Sequence, residues 1–246
     1  MQGLEGRVAV VTGSSSGIGE ATARRLAGLG ARVVVNSATS VEAGEAVAAS
    51  LPTEAIHVQA DISDQEAGRR LLERTVERFG RLDLLVNNAG WTTAVPHADL
   101  DALTDDILRR TFEVNVFGTW WLTKAAMPLL KASDADPNVV MVTSVAGVRP
   151  TGSSIAYAMS KAALNHLTLL LAKSCGPVRV NAVAPGLVDT PWTAQWPARH
   201  EQVLTQSPLH KVATPDEVAD AIVSLAANSH LTGQVLVVDG GMSLVE

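Results

Sequence analysis

Short apolar segments alternate along the chain with longer segments whose apolar residues recur at helical spacing. The short segments are apolar almost throughout, which is typical of parallel strands covered by helices on both faces of a sheet. They predict strands at residues 8–12, 32–36, 56–60, 82–87, 139–144, 178–184 and 234–238. The longer segments predict helices at residues 17–29, 41–50, 64–79, 103–131, about 157–174 and 215–227, the fourth being two helices or one bent helix. The alternation indicates an α/β fold.

Composition narrows the class of protein. The 246 residues, 47% hydrophobic and 18% charged, fit one domain over residues 1–246, because no linker, repeat or low-complexity segment divides them. The net charge of −6 comes without the basic runs expected of proteins that bind nucleic acids or anionic membranes. No signal-peptide core or membrane-length apolar segment is present, so we expect a cytoplasmic protein. Cys175 is the only cysteine and the six histidines show no paired ligand spacing, so we expect no disulfide and no metal site.

A glycine-rich turn follows the first predicted strand. Gly13, Gly17 and Gly19 are spaced G-x-x-x-G-x-G, which differs from the G-x-G-x-x-G of the general dinucleotide fingerprint. Glycines at such a turn let the backbone approach a pyrophosphate, whose charge then meets N–H groups at the positive end of the following helix. By itself the turn fits nucleotide binding and tight packing equally well.

The same turn also matches the G-x-S-x-G nucleophile elbow of hydrolases, with Ser15 as nucleophile and His210 or His230 as base. However, the elbow would fall on the first strand, and no His-Gly-Gly-type oxyanion segment precedes it. The hydrolase hypothesis also leaves Tyr157 and Lys161 unexplained. We therefore favour nucleotide binding.

Tyr157 and Lys161 are four residues apart in a predicted helix, so their side chains should share one face. A phenol normally titrates near pKa ~10. An ammonium about 4 Å away would lower that pKa by about three units, before any opposing desolvation. The pair therefore predicts an acidic tyrosine, although a half-buried tyrosine beside a solvated lysine is the ordinary alternative.

Two polar segments end later strands of the predicted sheet. Asn-Asn-Ala-Gly at residues 87–90 ends the fourth strand, and Ser144 ends the fifth. Both lie at the carboxyl edge, where an open α/β sheet binds its ligand. A hydroxyl at Ser144 could bond a substrate carbonyl oxygen together with the phenol of Tyr157.

Together these motifs resemble the short-chain dehydrogenase/reductase family, over about residues 4–241. The resemblance rests on Thr12-Gly-x-x-x-Gly-x-Gly19, Asp61-Ile62, Asn87-Asn-Ala-Gly90, Asn115, Ser144, Tyr157-x-x-x-Lys161 and Pro185-Gly186, in the family's order. It implies a Rossmann-type, doubly wound sheet of seven parallel strands with helices on both faces. Within the family, the chain is most similar to the 3-oxoacyl-[acyl-carrier-protein] reductases.

The resemblance implies an NAD(P)-dependent oxidoreductase with a catalytic tetrad. Tyr157 would protonate the carbonyl oxygen and Ser144 would orient that oxygen. Lys161 would bond the nicotinamide ribose and lower the pKa of the phenol, and Asn115 would hold a water that links Lys161 to solvent. A dinucleotide-binding sensor or scaffold without activity is the alternative, and the complete tetrad argues against it.

The resemblance also implies the cofactor contacts. Asp61 and Ile62 match the adenine pocket, and residues 185–190 match the nicotinamide amide. The implied set is Gly13, Ser15, Ser16, Gly17, Ile18, Gly19, Asn36, Ser37, Asp61, Ile62, Asn88, Ala89, Gly90, Tyr157, Lys161, Pro185, Gly186, Val188 and Thr190.

The end of the second strand bears on which nicotinamide cofactor is used. An NAD site normally has an acidic side chain there, which would repel a 2′-phosphate. This chain has Asn36 and Ser37, and Ser37 and Thr39 could donate to the phosphate. Against this, Ser16 stands where many NADP-dependent relatives carry a basic residue. The sequence favours NADP(H) and leaves NAD(H) open.

The substrate is less defined by the sequence. Trp91, Trp192 and Trp196 fall near the expected pocket, which indicates an apolar, bulky or aromatic carbonyl or alcohol, although core or interface packing would explain each tryptophan equally well. The family resemblance further implies a homo-oligomer, either a dimer or a tetramer.

Overall fold

The computed structural model describes residues 3–245 and contains one parallel sheet over that range. Its seven strands run in the order β3-β2-β1-β4-β5-β6-β7, which confirms the predicted doubly wound topology. The strands are β1 (Val8–Val11), β2 (Arg32–Ser37), β3 (Ala55–Gln59), β4 (Leu84–Asn87), β5 (Asn138–Val142), β6 (Arg179–Pro185) and β7 (Val235–Val238). The helices are α1 (Gly17–Gly28), α2 (Val41–Ser50), α3 (Gln65–Phe79), α4 (Asp105–Phe112), α5 (Thr119–Lys131), α6 (Ile155–Ser174), α7 (Pro197–Gln206) and α8 (Pro215–Ala227).

The five central strands of the sheet are buried on both faces, which explains why they are apolar almost without interruption. In β1, Ala9 and Val11 pack into the cluster formed with α1, α2 and α8. Val8 and Val10 pack into the opposite cluster, formed with α3, α5 and α6. Successive side chains of a strand point to opposite faces, so one valine-rich segment supplies both layers of the core.

The helical region predicted at residues 103–131 is two helices. A π-helical segment, Glu113–Gly118, separates α4 from α5. Its last residue, Gly118, packs closely against the backbone after β3. A Cβ at this position would lie only 2.7 Å from the carbonyl oxygen of Ile62. Only glycine permits this close approach, and it brings Asn115 in the π-helical segment toward the centre of the fold.

The sequence did not predict α7. Its first residue is Pro197, which suits the first position of a helix, but its only buried side chain is that of Val203. A helix that buries a single side chain has no apolar face from which sequence periodicity could reveal it. This helix belongs to the segment that covers the candidate site.

Candidate active site

A cavity of about 1080 Å³ opens along the carboxyl ends of the strands. It extends from the glycine turn after β1, past residues 88–90, to Tyr157 and the segment that follows β6. The chain leaves β1 for β2, yet β1 also pairs with β4, so the cavity lies where the strand order reverses. Open α/β sheets bind their ligands at this point.

The glycine turn has the geometry of a pyrophosphate site. Gly13 and Gly17 adopt left-handed conformations, with φ of 61° and 57°. A Cβ on Gly19 would lie 2.3 Å from the carbonyl oxygen of Gly13. Ser16, which precedes α1, makes no side-chain cap hydrogen bond, so the amino end of α1 can receive an anion. The residues present therefore fit the pyrophosphate of a dinucleotide.

Thr12 joins this turn to the segment after β4. Its buried hydroxyl accepts hydrogen bonds from the N–H groups of Asn88 and Ala89, each at 3.0 Å. The amide of Asn88 donates to the carbonyl oxygens of Thr12 and Gly13, at 2.9 and 3.0 Å. This arrangement holds both walls of the cavity at a fixed separation.

Asn36 at the end of β2 is 1% exposed and fully engaged. Its amide donates to the carbonyl oxygens of Val58 and Ala60, each at 3.0 Å, and its oxygen accepts from the N–H of Gly13 at 3.3 Å. Asn36 therefore supports the glycine turn while presenting no charge to the cavity.

Ser37 does not line the cavity, although the next two residues, Ala38 and Thr39, do. The Ser37 hydroxyl donates to the carbonyl oxygen of Ser40 at 3.0 Å and lies 2.9 Å from Nε2 of His57. The suggestion that Ser37 donates directly to a 2′-phosphate does not fit this orientation. A cofactor would meet Thr39 and the backbone of this loop instead.

Asp61, predicted at the adenine pocket, is held by residues that the sequence did not single out. Its Oδ1 accepts from the N–H and the hydroxyl of Ser63, at 2.9 and 2.7 Å, and its Oδ2 pairs with Arg110 at 3.3 Å. Partial burial raises the pKa of Asp61, but the bonds from Ser63 and Arg110 outweigh that effect and lower it. An ionised carboxylate thus faces the adenine end of the cavity.

Ser144, Tyr157 and Lys161 line the cavity together, as the sequence predicted. Tyr157 lies in the first turn of α6, where its N–H donates to Oγ of the capping Ser154 at 3.2 Å. Ser144 begins a short turn that packs closely on α6. This packing requires glycine at position 147, since a Cβ there would lie 2.6 Å from the carbonyl carbon of Lys161. The close packing brings the Ser144 side chain near enough to the phenol to favour its ionised form.

The last residue of β5 binds the ammonium group of Lys161 and fixes its position. Its Nζ donates to the carbonyl oxygen of Val142 at 2.9 Å and lies 5.6 Å from the centroid of the Tyr157 ring. The side chain is 3% exposed. A lysine this buried is fixed in place, so the direction of its ammonium is set before any ligand arrives.

The direction predicted for the pKa of Tyr157 is wrong in this structure. Desolvation raises the pKa of Tyr157 to about 12, and the nearby Ser144 side chain opposes only part of that effect. Desolvation likewise lowers the pKa of Lys161 to about 8. The sequence argument counted the attraction between ammonium and phenolate but set aside the cost of removing both groups from water. At neutral pH the phenol keeps its proton and is the form that can donate it.

Asn115 is completely buried and does not itself line the cavity. Its Oδ1 accepts from the N–H of Trp91 at 2.7 Å, and its Nδ2 donates to the carbonyl oxygen of Trp91 and to Oγ of Ser160, each at 3.0 Å. Ser160 in turn donates to the carbonyl oxygen of Tyr157 at 2.7 Å. The Asn115 side chain therefore ties the Trp91 segment to α6, and the predicted role of holding a water stays a prediction.

The segment after β6 covers the cavity. The methyl carbon of Thr190 lies 3.4 Å from the position that a Cβ on Gly17 would take, so this segment touches the glycine turn. Farther along, Trp192 packs edge-to-face on Tyr157, with ring centroids 6.5 Å apart at 86°. Trp91 and Trp196 also line this cavity, so three tryptophans contribute to its surface.

Comparisons with known proteins agree with this geometry. A family model described as Enoyl-(Acyl carrier protein) reductase matches residues 13–243. A Streptomyces violaceoruber protein, whose name provisionally describes it as ketoacyl reductase 2 of the granaticin polyketide synthase, is 53% identical over 245 residues and 98% of each chain. The Thermotoga maritima 3-oxoacyl-[acyl-carrier-protein] reductase is 34% identical over 97% of this chain and 98% of its own.

Among solved structures, a short chain dehydrogenase from Burkholderia cenocepacia J2315 in complex with NADP superposes with a TM-score of 0.90. It is 35% identical to this chain, and the match covers 98% of this chain and 99% of that one. The chain belongs to the short-chain dehydrogenase/reductase family. It is accordingly an NAD(P)-dependent oxidoreductase acting on hydroxyl or carbonyl groups, and the family resemblance seen in its sequence is confirmed.

For this short-chain dehydrogenase/reductase, the structure brings most of the residues implied by the resemblance to one cavity. The exceptions are Gly19, which packs beneath the turn, and Ser37 and Asn115, whose side chains bond elsewhere. Sequence reasoning missed Arg110 and Ser160, which hold Asp61 and Asn115. An arginine and a serine on helices carry no motif of their own, so only the spatial contact identifies them.

The hydrolase hypothesis finds less support than nucleotide binding. Neither His210 nor His230 lines the cavity that contains Ser15, so neither residue is placed to act as the base of the hydrolase hypothesis. Residues 3–245 include no group of three or more potential ligand side chains placed to hold a metal ion. No helix in this part of the chain is both long and apolar enough to cross a membrane.

Proposed function

We propose that this protein is an NADP(H)-preferring reductase of 3-oxoacyl-type carbonyl compounds that carry an apolar ring, with Tyr157 as general acid. The observation that carries the proposal is the placement of Tyr157 between Ser144 and Lys161, where the cavity changes from a glycine-lined to a tryptophan-lined surface. One half suits a dinucleotide and the other an aromatic or bulky carbonyl compound.

The roles of the side chains follow from their positions. The nicotinamide, when bound, supplies the hydride for the carbonyl carbon. Tyr157 gives its proton to the carbonyl oxygen, which also accepts a hydrogen bond from the hydroxyl of Ser144. Lys161, held by the carbonyl oxygen of Val142, stabilises the phenolate that remains. Desolvation keeps the phenol protonated before reaction, which is the protonation state that a general acid needs for carbonyl reduction.

The adenosine end of the cavity supports a preference for NADP(H). Asn36 occupies the end of β2 without a negative charge. In the described part of the chain, the N–H groups of Ala38 and Thr39 have no hydrogen-bond acceptor in the loop, and Ser40 does not cap α2. Free N–H groups beside the amino end of a helix suit a phosphate. The end of β2 also lacks the carboxylate that would repel a 2′-phosphate.

The substrate end supports a ring-bearing acyl group. Trp192 packs on the Tyr157 ring, Trp91 and Trp196 line the same cavity, and aromatic side chains offer large apolar surfaces for stacking. The relatives named as ketoacyl and 3-oxoacyl reductases support a carbonyl in the 3-position of an acyl chain. We infer that the tryptophans hold the ring while Ser144 and Tyr157 receive the carbonyl oxygen.

Steady-state kinetics with paired substrates tests this function. We expect kcat/KM with NADPH to exceed that with NADH by about tenfold or more, because phosphate contacts are lost with NADH. We also expect a 3-oxoacyl thioester with an aromatic ring to exceed a short straight-chain one by about tenfold, because more apolar surface is buried. A preference for NADH would contradict the cofactor proposal, and a preference for the straight chain would contradict the substrate proposal.

We also propose that the protein forms a homo-oligomer through the π-helical segment, the start of α5 that follows it, and α6, which contacts the π-helical segment. Apolar side chains exposed there are Phe117, Trp120, Met159, Leu169 and Leu170, between 39% and 50% accessible. Exposed apolar side chains gathered on neighbouring helices are typical of subunit interfaces.

Sedimentation velocity checks the oligomer. We expect a mass of at least twice 25.7 kDa for the native chain and a shift toward monomer in a Trp120→Glu, Leu170→Glu double variant, because charges at an apolar interface cost binding energy. Leu100→Glu, at a 68% exposed position that belongs to none of these segments, is the control. A monomeric native chain would contradict the proposal.

A further inference from the structure

We infer that His57 is a positioning residue for the adenosine 2′-phosphate, because it fixes Ser37 and thereby the loop that presents Ala38 and Thr39 to the cavity. The inference rests on the proposed preference for NADP(H). His57 lies on β3, outside the cavity, and no motif points to it.

The hydrogen bonds around Ser37 assign the proton on the imidazole. The Ser37 hydroxyl has a single hydrogen, which it donates to the carbonyl oxygen of Ser40 at 3.0 Å. The contact of 2.9 Å between Ser37 Oγ and His57 Nε2 therefore needs the hydrogen of the imidazole. Desolvation lowers the pKa of His57, against an opposing effect of Glu45, so the neutral imidazole with its proton on Nε2 is favoured.

The imidazole of His57 packs directly against Gly44 of α2, where there is no side chain. A Cβ on Gly44 would lie 2.3 Å from Cδ2 and 2.5 Å from Nε2 of His57. Any larger residue in this turn of α2 would therefore displace the ring from Ser37. Glycine inside a helix lowers helix stability, so its presence is explained by the room that it gives to the imidazole.

The fixed loop then sets the direction of its free polar groups. Ser37 holds the Ser40 carbonyl, and Gln59 donates to the carbonyl oxygen of Ala38 at 3.0 Å. With these two carbonyls bound from the sheet side, the N–H groups of Ala38 and Thr39 are left for the cavity, which both residues line. Loss of the His57 proton donor would let this loop rotate, and a 2′-phosphate would lose aligned donors.

Calorimetric binding of two adenosine probes tests the inference without turnover. Adenosine 2′,5′-bisphosphate carries the 2′-phosphate, and 5′-AMP lacks it. We expect His57→Leu to weaken binding of the bisphosphate about five- to tenfold and to change binding of 5′-AMP by less than about twofold. His57→Gln places an N–H donor near the position of Nε2 and should restore the bisphosphate affinity. In kinetics, KM for NADPH should rise in His57→Leu while kcat and the KM for NADH stay unchanged.

Ser37→Ala and His230→Leu complete the design. Ser37→Ala removes the acceptor and should weaken the bisphosphate as much as His57→Leu, and the double variant should be no weaker than either single one. If His57→Leu does not fold, Ser37→Ala and His57→Gln still decide the question. His230 is an exposed histidine outside the cavity, and its replacement should change nothing.

Three outcomes would overturn the inference. Equal losses for both probes would show a general structural role, and unchanged bisphosphate affinity in His57→Leu or Ser37→Ala would show no role. A native chain that binds the bisphosphate no tighter than 5′-AMP would instead contradict the NADP(H) preference, and the inference with it.

Discussion

Replacement of Tyr157 by phenylalanine is expected to lower kcat for carbonyl reduction by about 10³-fold or more, because the variant has no proton to give to the substrate oxygen. The change removes one oxygen atom from a ring that packs edge-to-face on Trp192. The ring contacts therefore stay, and the Kd for NADP⁺ should change by less than about twofold. Stopped-flow or steady-state absorbance of the reduced nicotinamide measures the rate, and calorimetry measures the Kd.

The control for Tyr157→Phe is Ser144→Ala, which removes a hydrogen bond but leaves the acid in place. We expect its loss of kcat to be smaller, about 10- to 100-fold. Turnover near the native rate in Tyr157→Phe would contradict the assigned general acid. A loss of NADP⁺ binding equal to the loss of rate would instead indicate a structural effect.

Tyr157 is the only tyrosine of the chain, so ultraviolet absorbance of the phenolate reports on this residue alone. Its raised pKa, about 12, should appear directly in that titration.

Replacement of Lys161 by methionine is expected to abolish turnover and yet stabilise the protein. Burial lowers the pKa of Lys161 from 10.5 to about 8, which corresponds to about 3 kcal/mol of cost for the charged form in the folded state. The hydrogen bond to the Val142 carbonyl offsets about 1 kcal/mol, so the variant should gain about 2 kcal/mol in unfolding free energy at pH 7. Chemical denaturation with linear extrapolation measures the gain.

The pH dependence of this gain has a defined sign. The folded pKa is the lower one, so between about pH 8 and pH 10.5 the unfolded chain binds more protons at this site than the folded protein does. The cost of the buried ammonium is thus fully present below pH 8 and disappears as the pH rises through that window. The advantage of Lys161→Met should fade over the same range.

Lys173→Met supplies the matched control, because Lys173 is an exposed lysine near the end of the same helix. It should change the unfolding free energy by less than about 1 kcal/mol at any of these pH values. Destabilisation by Lys161→Met at pH 7 would show that the ammonium contributes more through its bonds than it costs through burial. That outcome would contradict the argument from desolvation.

Much of the site was predictable from short-range sequence features. The predicted strand ends placed the glycine turn, residues 88–90 and Ser144 at one edge, and the spacing of Tyr157 and Lys161 placed both on one face of α6. These inferences hold because the period of a strand or helix and the parallel direction of the strands fix which residues meet.

The side-chain contacts were not predictable in the same way. Ser37 was expected to face the cavity, but it bonds His57, a residue on a different strand, through a space left by Gly44 on a different helix. The bonds of Asn115 to Trp91 and Ser160 were not foreseen, and its role in holding a water stays a prediction. Such contacts depend on how elements distant in sequence pack together.

The sequence by itself determined the order of the strands and of the helices other than α7, because local spacing encodes that order. It also indicated the candidate dinucleotide turn and the candidate reactive side chains, through their motifs and the family resemblance. Only the tertiary structure decided the charge state of the reactive pair, the orientation of the loop after β2 and the helix α7 over the cavity. The physical reason is that desolvation and close packing act through neighbours that are far apart along the chain. The pKa of Tyr157 shows this most clearly, because burial reverses the direction that the neighbouring lysine alone would give.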